Sequence, residues 1–265
     1  MQKMKKLLAS IAILSFLTAC SGNAEPRGFG VAGDKQLYEE ALAAIGNDNK
    51  AVVEKLNVLE LNYPKSSALP EAMILKLYAL YSSQRYEEAL SQADRFIKLY
   101  PDHKSTPYAY YIKGMSNQAR MMDIRRDQGP TIEALNSFNE LNKLYPDSNY
   151  SNLARNKVIE AETLLAVKNL EIGKFYAQRG QFSAASERFQ KVLDDFSHTT
   201  AAPEALYRML EIHYNLNGLD LAMKYLSLLE TKYPGHFWTN QAGNLLKSGK
   251  RTKRLVIPST GPVYK

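Results

Sequence analysis

The sequence predicts an all-α fold, an α-solenoid of about five helix pairs. Three observations carry this reading. Five aromatic residues stand beside a helix-ending position: Tyr63-Pro64, Tyr100-Pro101, Tyr145-Pro146, Phe196-Ser197 and Tyr233-Pro234. Apolar residues precede them at fixed offsets: Val52, Ala89, Ala134, Ala185 and Ala222 twelve before the second member of each pair, and Leu59, Phe96, Leu141, Val192 and Leu229 five before it. Strand-like alternation of useful length is missing, and glycine is scarce between residues 47 and 172. Repetition of this kind marks stacked supersecondary units, each covering the apolar side of its neighbour.

The chain opens with a basic stretch (Lys3, Lys5, Lys6), an apolar run from Leu7 to Leu17, and then Leu17-Thr18-Ala19-Cys20. A basic region and a short apolar region read as a secretory leader over residues 1–19. The last four residues are similar to a bacterial lipobox, in which the cysteine becomes the lipid-carrying first residue of the mature chain. Cys20 is the chain's single cysteine, so its acylation leaves no thiol for a disulfide, a nucleophile or a metal. Acyl chains at about 0.8 kcal/mol per buried methylene anchor firmly. By likeness to other lipoproteins, Ser21 after the cysteine implies export to the outer membrane, facing the periplasm. Residues 20–33 are Gly-rich without helical period and read as a flexible tether.

Residues 34–247 then divide into units of about 34–64, 65–101, 102–146, 147–197 and 198–247. In the second, Ser67 to Ser82 forms one helix, Gln84-Arg85-Tyr86 a turn, and Tyr86 to Leu99 the returning helix, with Ala89, Ala93 and Phe96 on its inner side. Ala89 is small where the two helices cross, and Pro101 turns the chain by excluding Tyr100 from the α region. Arg179-Gly180-Gln181-Phe182 and Asn217-Gly218-Leu219 repeat the turn. The Ala, the aromatic and the Pro stand at offsets similar to those of tetratricopeptide units. The third unit carries an insertion at about Met121 to Pro130, either a binding loop or a plain surface loop. The fourth has a long first helix from about Asn149 to Gln178, with Gly173 marking a close approach. Phe196-Ser197 lacks the proline, which predicts a looser turn.

The formal charge of +7 comes from 34 basic and 27 acidic residues. Without the leader's three lysines and the six basic residues from Lys247 to the end, 25 basic residues face 27 acidic ones. The body is therefore near neutral, and a nucleic-acid partner is not expected. The basic tail, residues 248–265, is either a solvated end or a contact for anionic lipid or an acidic partner. Chemistry finds no support. His103, His198, His213 and His236 form no metal spacing, with the first two expected to be solvated in turns and His213 packed near Tyr214. Neither a nucleophile elbow nor a phosphate-cradling loop occurs, so neither an enzyme nor a cofactor is expected.

Tyrosine is the unusual resource, with seventeen copies. Tyr78, Tyr81, Tyr108 and Tyr111 lie on predicted first helices and serve either inter-helix packing or the wall of a groove for an extended peptide. Lys113 or Arg120 would then meet a terminal carboxylate.

Beyond these readings, the ordered set of motifs resembles the BamD (ComL/YfiO) family of outer-membrane assembly lipoproteins. The stretches that carry the resemblance are Ala93-Asp94-Arg95-Phe96-Ile97, Tyr111-Ile112-Lys113-Gly114-Met115-Ser116-Asn117, Arg126-Asp127-Gln128, Tyr145-Pro146-Asp147-Ser148-Asn149-Tyr150, Gly173 to Gly180, and Glu187-Arg188-Phe189. The resemblance implies a subunit of the machine that inserts β-barrels into the outer membrane. It implies N-terminal repeats that recognise unfolded barrel proteins, and C-terminal repeats that dock on the periplasmic domains of BamA, with other Bam lipoproteins as further partners. Arg188 falls at a position the resemblance assigns to BamA docking. The competing readings are another periplasmic repeat scaffold, serving envelope synthesis or division, and a lipid-anchored hydrolase or solute receptor, for which no clustered polar site stands out.

Overall fold

The computed structural model describes residues 33–120 and 127–251. Cys20, the leader, the tether up to residue 32, the core of the third-unit insertion and the tail from residue 252 lie outside them. Eleven helices follow in order: α1 Asp34–Ala44, α2 Asn49–Asn62, α3 Leu69–Ser82, α4 Tyr86–Leu99, α5 Thr106–Ala119, α6 Gly129–Leu144, α7 Asn149–Gln178, α8 Phe182–Asp195, α9 Ala202–Asn215, α10 Leu219–Lys232 and α11 Phe237–Ser248. No strand occurs among the described residues.

The helices pack as hairpins, α1 with α2, α3 with α4 and so on to α9 with α10, with α11 closing the last. First helices of successive hairpins also touch: α3 with α5, α5 with α7, α7 with α9 and α9 with α11. Each principal contact joins helices adjacent in order or one apart, which is the pattern of a solenoid. The ten apolar repeat positions named above are all fully buried.

The five aromatic ends share one geometry. Tyr63, Tyr100, Tyr145, Phe196 and Tyr233 have φ between −129° and −136°, and each donates its N–H to the carbonyl four residues back. Before proline their ψ lies at 55–58°, whereas Phe196, before serine, relaxes to 29°. The missing proline lets ψ fall back toward the helical region. The turn is nonetheless held, contrary to the sequence expectation, because the Thr199 hydroxyl donates to the Phe196 carbonyl at 2.8 Å. Elsewhere a hydroxyl six residues after the aromatic does this: Thr106 to Tyr100, Ser151 to Tyr145 and Thr239 to Tyr233, at 2.6–2.7 Å. Each thereby adds a second donor to a helix-end carbonyl that also takes the N–H three residues on.

The hairpin turns also share a device. Gln84, Gly180 and Asn217 take φ of 61°, 74° and 64°, two residues before the second helix. The next N–H then reaches back to the carbonyl of Leu80, Tyr176 or His213 at 2.8–3.0 Å, closing the helix with a left-handed cap.

Helix α7 spans 30 residues, about 45 Å, and serves two cores. Ala154 near its start packs with Tyr110, Ala134, Phe138 and Leu141. Ala166, Leu170 and Ala177 further along pack with Phe189, Met209 and Ile212. Gly173 admits the Phe189 ring so closely that an added Cβ would meet it at 2.5 Å.

Candidate functional site

The first helices α3, α5 and α7 bring a set of tyrosines together. The Tyr108 ring lies 5.3 Å from Tyr150, Tyr111 lies 5.7 Å from Tyr150, and Tyr81 lies 5.8 Å from Tyr86. The Tyr108 phenol is pushed well above its ordinary range, first by burial, then by Tyr150, Tyr78, Tyr81 and Tyr111 around it. Burial likewise raises Tyr81, Tyr111 and Tyr150. All four phenols therefore stay protonated near neutral pH and keep a donor as well as an acceptor.

Within the set the roles divide. Tyr78 and Tyr108 are only 5% and 4% exposed and belong to the packing between helices, so as surface walls of a groove they are corrected. Tyr81, Tyr111 and Tyr150 are half-buried. Tyr150, at the second position of α7, escaped the sequence reading because it sits beside the Tyr145-Pro146 turn and reads as part of it.

The two cations assigned to this site from spacing stand elsewhere. Lys113 pairs with Asp94 at 2.7 Å and Arg120 with Glu87 at 2.6 Å, both on α4. Lys113 is two residues from Tyr111, and two helical steps place side chains on nearly opposite sides. The cation that does face Tyr111 is Lys157 of α7, whose charge acts against the burial that raises that phenol. Lys157 binds Glu160 at 2.8 Å in its own helix, and Glu160 accepts from Gln118 of α5 at 2.9 Å. Burial works to raise the Glu160 carboxyl, but the hydrogen bonds from Lys157 and Gln118 and the Lys157 charge outweigh it and hold the group below its ordinary range. Two enclosed polar atoms here, the Tyr108 hydroxyl and the Gln118 side-chain carbonyl, have no hydrogen-bond partner among the described residues.

A second polar group lies in the C-terminal hairpin. Arg208 is fully buried, bonded to Glu204 at 3.1 Å and Glu211 at 2.8 Å, with the Tyr207 and Trp238 rings each 5.1 Å away. Burial opposes its charge, and Glu211 and Glu204 more than restore it. Breaking such a buried pair costs about 3–5 kcal/mol, so the group fixes α9. Its signal was present as acids four before and three after one arginine. Arg188, on α8, is half-buried, bonds Asn169 at 3.4 Å, and forms no salt bridge among the described residues.

One histidine departs from expectation, while His198 is exposed and His213 half-buried as expected. His103 is not solvated: its ring meets Phe96 edge-on at 5.6 Å and accepts from the Ser105 N–H at 3.2 Å. His198 is half-exposed and contacts Glu162 at 2.7 Å. His213 stacks on Tyr225 at 5.7 Å. Among the described residues, no group of three or more His, Cys, Asp or Glu is placed to hold a metal, and no helix is long and apolar enough to cross a membrane.

Stacked helix hairpins with tyrosines gathered on the first helices define a helical-repeat protein. Residues 32–228 match the YfiO family, described as outer membrane lipoprotein, and the chain belongs to that family. Similar proteins include the outer membrane protein assembly factor BamD of Rickettsia prowazekii, 30% identical over 93% of this chain and 98% of the relative. BamD of Caulobacter vibrioides is 30% identical over 90% and 79%, and that of Neisseria meningitidis serogroup B 28% over 87% and 92%. Among solved structures, a thermophilic TPR protein from Thermus thermophilus aligns at 16% identity with a TM-score of 0.36, over 81% of this chain and all of the other.

Proposed function

We propose that this chain serves outer membrane protein assembly as a non-catalytic scaffold that holds unfolded barrel proteins and docks on the periplasmic domains of BamA. Its relatives carry the name outer membrane protein assembly factor, and assembly at the outer membrane is the role it shares with them. The observation that carries the finer reading is the tyrosine face of α3, α5 and α7. Rigid rings with polar tips grip extended peptides at small entropic cost. Cys20 carries the lipid that holds the chain at the membrane. Arg188, which forms no salt bridge among the described residues, meets an acidic group of BamA, and other Bam lipoproteins complete the assembly.

The test is co-purification from detergent-solubilised membranes. BamA and unfolded barrel proteins are expected with the wild-type chain, and Arg188→Glu should lower the yield of BamA alone. Recovery of envelope-synthesis or division proteins without BamA would favour the other scaffold reading and defeat this one.

A further inference from the structure

The start of α10 is apolar and uncovered. Leu216, Leu219 and Met223 are 55%, 49% and 48% exposed. Leu219 and Met223 stand one turn apart on one side of α10, and Leu216 ends α9 just before the turn. The repeat makes this unusual. The residue fifteen before the second member of each aromatic pair is Asn49, Tyr86, Thr131, Phe182 and Leu219. The residue eleven before it is Val53, Leu90, Leu135, Ser186 and Met223. In the first four hairpins all eight are buried or half-buried, and in the fifth both are exposed. The residue eighteen before is Gly46, Ser83, Gln128 and Arg179 in those four hairpins, and an apolar Leu216 in the fifth. Each second helix in the first four hairpins is packed by the chain that follows it, the next first helix. Terminal repeats of a solenoid ordinarily show a polar outer surface, so an apolar one calls for a cover.

The chain leaves the described residues beside this patch. Arg251 donates to the Asn217 side-chain carbonyl at 2.5 Å, and its guanidinium lies 5.1 Å from the Tyr214 ring. Asn217 stands between Leu216 and Leu219 in the α9–α10 turn. Thr252-Lys253-Arg254 then lead to Leu255-Val256-Ile257, the longest apolar run after α11. Extended at about 3.3 Å per residue, that run falls about 13–20 Å from Arg251. Met223 is about 9 Å along α10 from Asn217, within reach. Asp220, exposed in the first turn of α10, supplies an acid for Lys253 or Arg254.

We propose that the C-terminal tail folds back as the cap of the stack. Arg251 pins it at the α9–α10 turn, and Leu255, Val256 and Ile257 cover Leu216, Leu219 and Met223. The occupant is this tail rather than a second copy, because the anchor lies in the same chain and holds the apolar run beside the patch. A tether that short gives an effective concentration on the order of millimolar. The cap is independent of what the tyrosine face binds.

Met223 is its own reporter, since peroxide oxidises a methionine at a rate set by its exposure. The full-length chain, purified alone and placed in phosphatidylcholine vesicles at two protein-to-lipid ratios, is treated with dilute peroxide and read by peptide mass spectrometry. Replacing the run by Leu255→Ser, Val256→Ser and Ile257→Ser together should speed Met223 oxidation by roughly fivefold, the scale of passing from burial to near-half exposure. Arg251→Ala keeps the run and loses the anchor, and should speed it by about twofold. Met209, buried between α7, α8 and α9, should stay slow in every variant. Equal Met223 rates in wild type and the triple serine variant, whether both fast or both slow, would overturn the proposal. An unchanged rate in Arg251→Ala would overturn the anchor. Protection that fades at the lower protein-to-lipid ratio would assign the cover to a second copy and overturn the tail as occupant. Fast Met209 in the triple variant would make the run a support of the core, and would overturn its role as a surface cap.

Discussion

Adding one methyl group at two places in this stack should have opposite effects. At Gly114 of α5, a Cβ would stand 2.3, 2.6 and 2.7 Å from three carbons of the Phe138 ring. Phe138 is fully buried against Ala134, Leu141 and Ala154, so the ring has nowhere to retreat. Forcing a methyl into a packed site costs about 1–3 kcal/mol, and a rigid enclosed ring argues for the upper part of that range. Alanine returns about 1 kcal/mol of helix propensity over glycine. Gly114→Ala should therefore destabilise by about 1–2 kcal/mol net. Gly243, inside α11, has nothing within 4 Å of its added Cβ, so Gly243→Ala keeps only the propensity gain and should stabilise by about 0.5–1 kcal/mol. The assay is urea unfolding followed by helical circular dichroism, comparing midpoints and slopes. A repeat protein need not unfold in one step, so α5 and α11 are best read from the part of the curve each controls. Gly114→Ala as stable as wild type would refute the close-approach argument. So would recovery failing in Gly114→Ala/Phe138→Leu, where the smaller side chain makes room.

Thr106→Val removes the hydroxyl that reaches the Tyr100 carbonyl at 2.6 Å while keeping the shape, and should cost about 1 kcal/mol in the same assay. Thr106 is fully buried, so the carbonyl keeps only the longer bond from the His103 N–H at 3.2 Å and gains no water in exchange. His213 is held below its ordinary pKa by burial. A group with a depressed folded pKa gives stability that is complete above its unfolded value near 6.5 and is lost as pH falls below it. Thermal unfolding at pH 8 and pH 5.5 should therefore show a larger acid-side loss in wild type than in His213→Gln, and equal losses would refute the assignment.

The helical repeat was legible because it is written in single residues with fixed physical jobs. An alanine or valine sits at each crossing, an aromatic at each end, and a left-handed position in the turns at Gln84, Gly180 and Asn217. The long helix α7 was legible from the same evidence, since most of 151–179 holds no breaker except Gly173, and that glycine proved to be where Phe189 enters. What did not read through was direction. Tyr108 and Tyr111 are three apart and share a side of α5, but Lys113 follows Tyr111 by two and turns toward α4. Nearness in sequence gave the right helix and the wrong face. Lys157 and Tyr150 belong to another hairpin, and only the contact of α5 with α7 brings them to Tyr111. The hydroxyl caps were missed for a related reason. Thr106, Ser151 and Thr239 look like ordinary polar residues at helix starts, and their partners lie six residues back, outside the usual capping window.

One register position differs in character along the stack. The residue eight after each aromatic end is Glu71, Tyr108, Leu153, Glu204 and Gln241. In α5 and α7 it is aromatic or aliphatic, and Leu153 is 52% exposed beside Tyr150 and Lys157. In α9 the same position is a carboxylate that is 3% exposed and bonded to a buried arginine. A peptide lying along the first helices would find apolar surface at Leu153, at the start of α7. At α9 it would meet a charged group already bonded within the protein, where displacing a partner leaves a buried charge exposed to about 3–5 kcal/mol of penalty. At Lys157 it would meet a within-helix pair worth a small fraction of that. The difference in cost between those two displacements makes the Arg208 group a fixed part of the fold and the Lys157–Glu160 pair an exchangeable one.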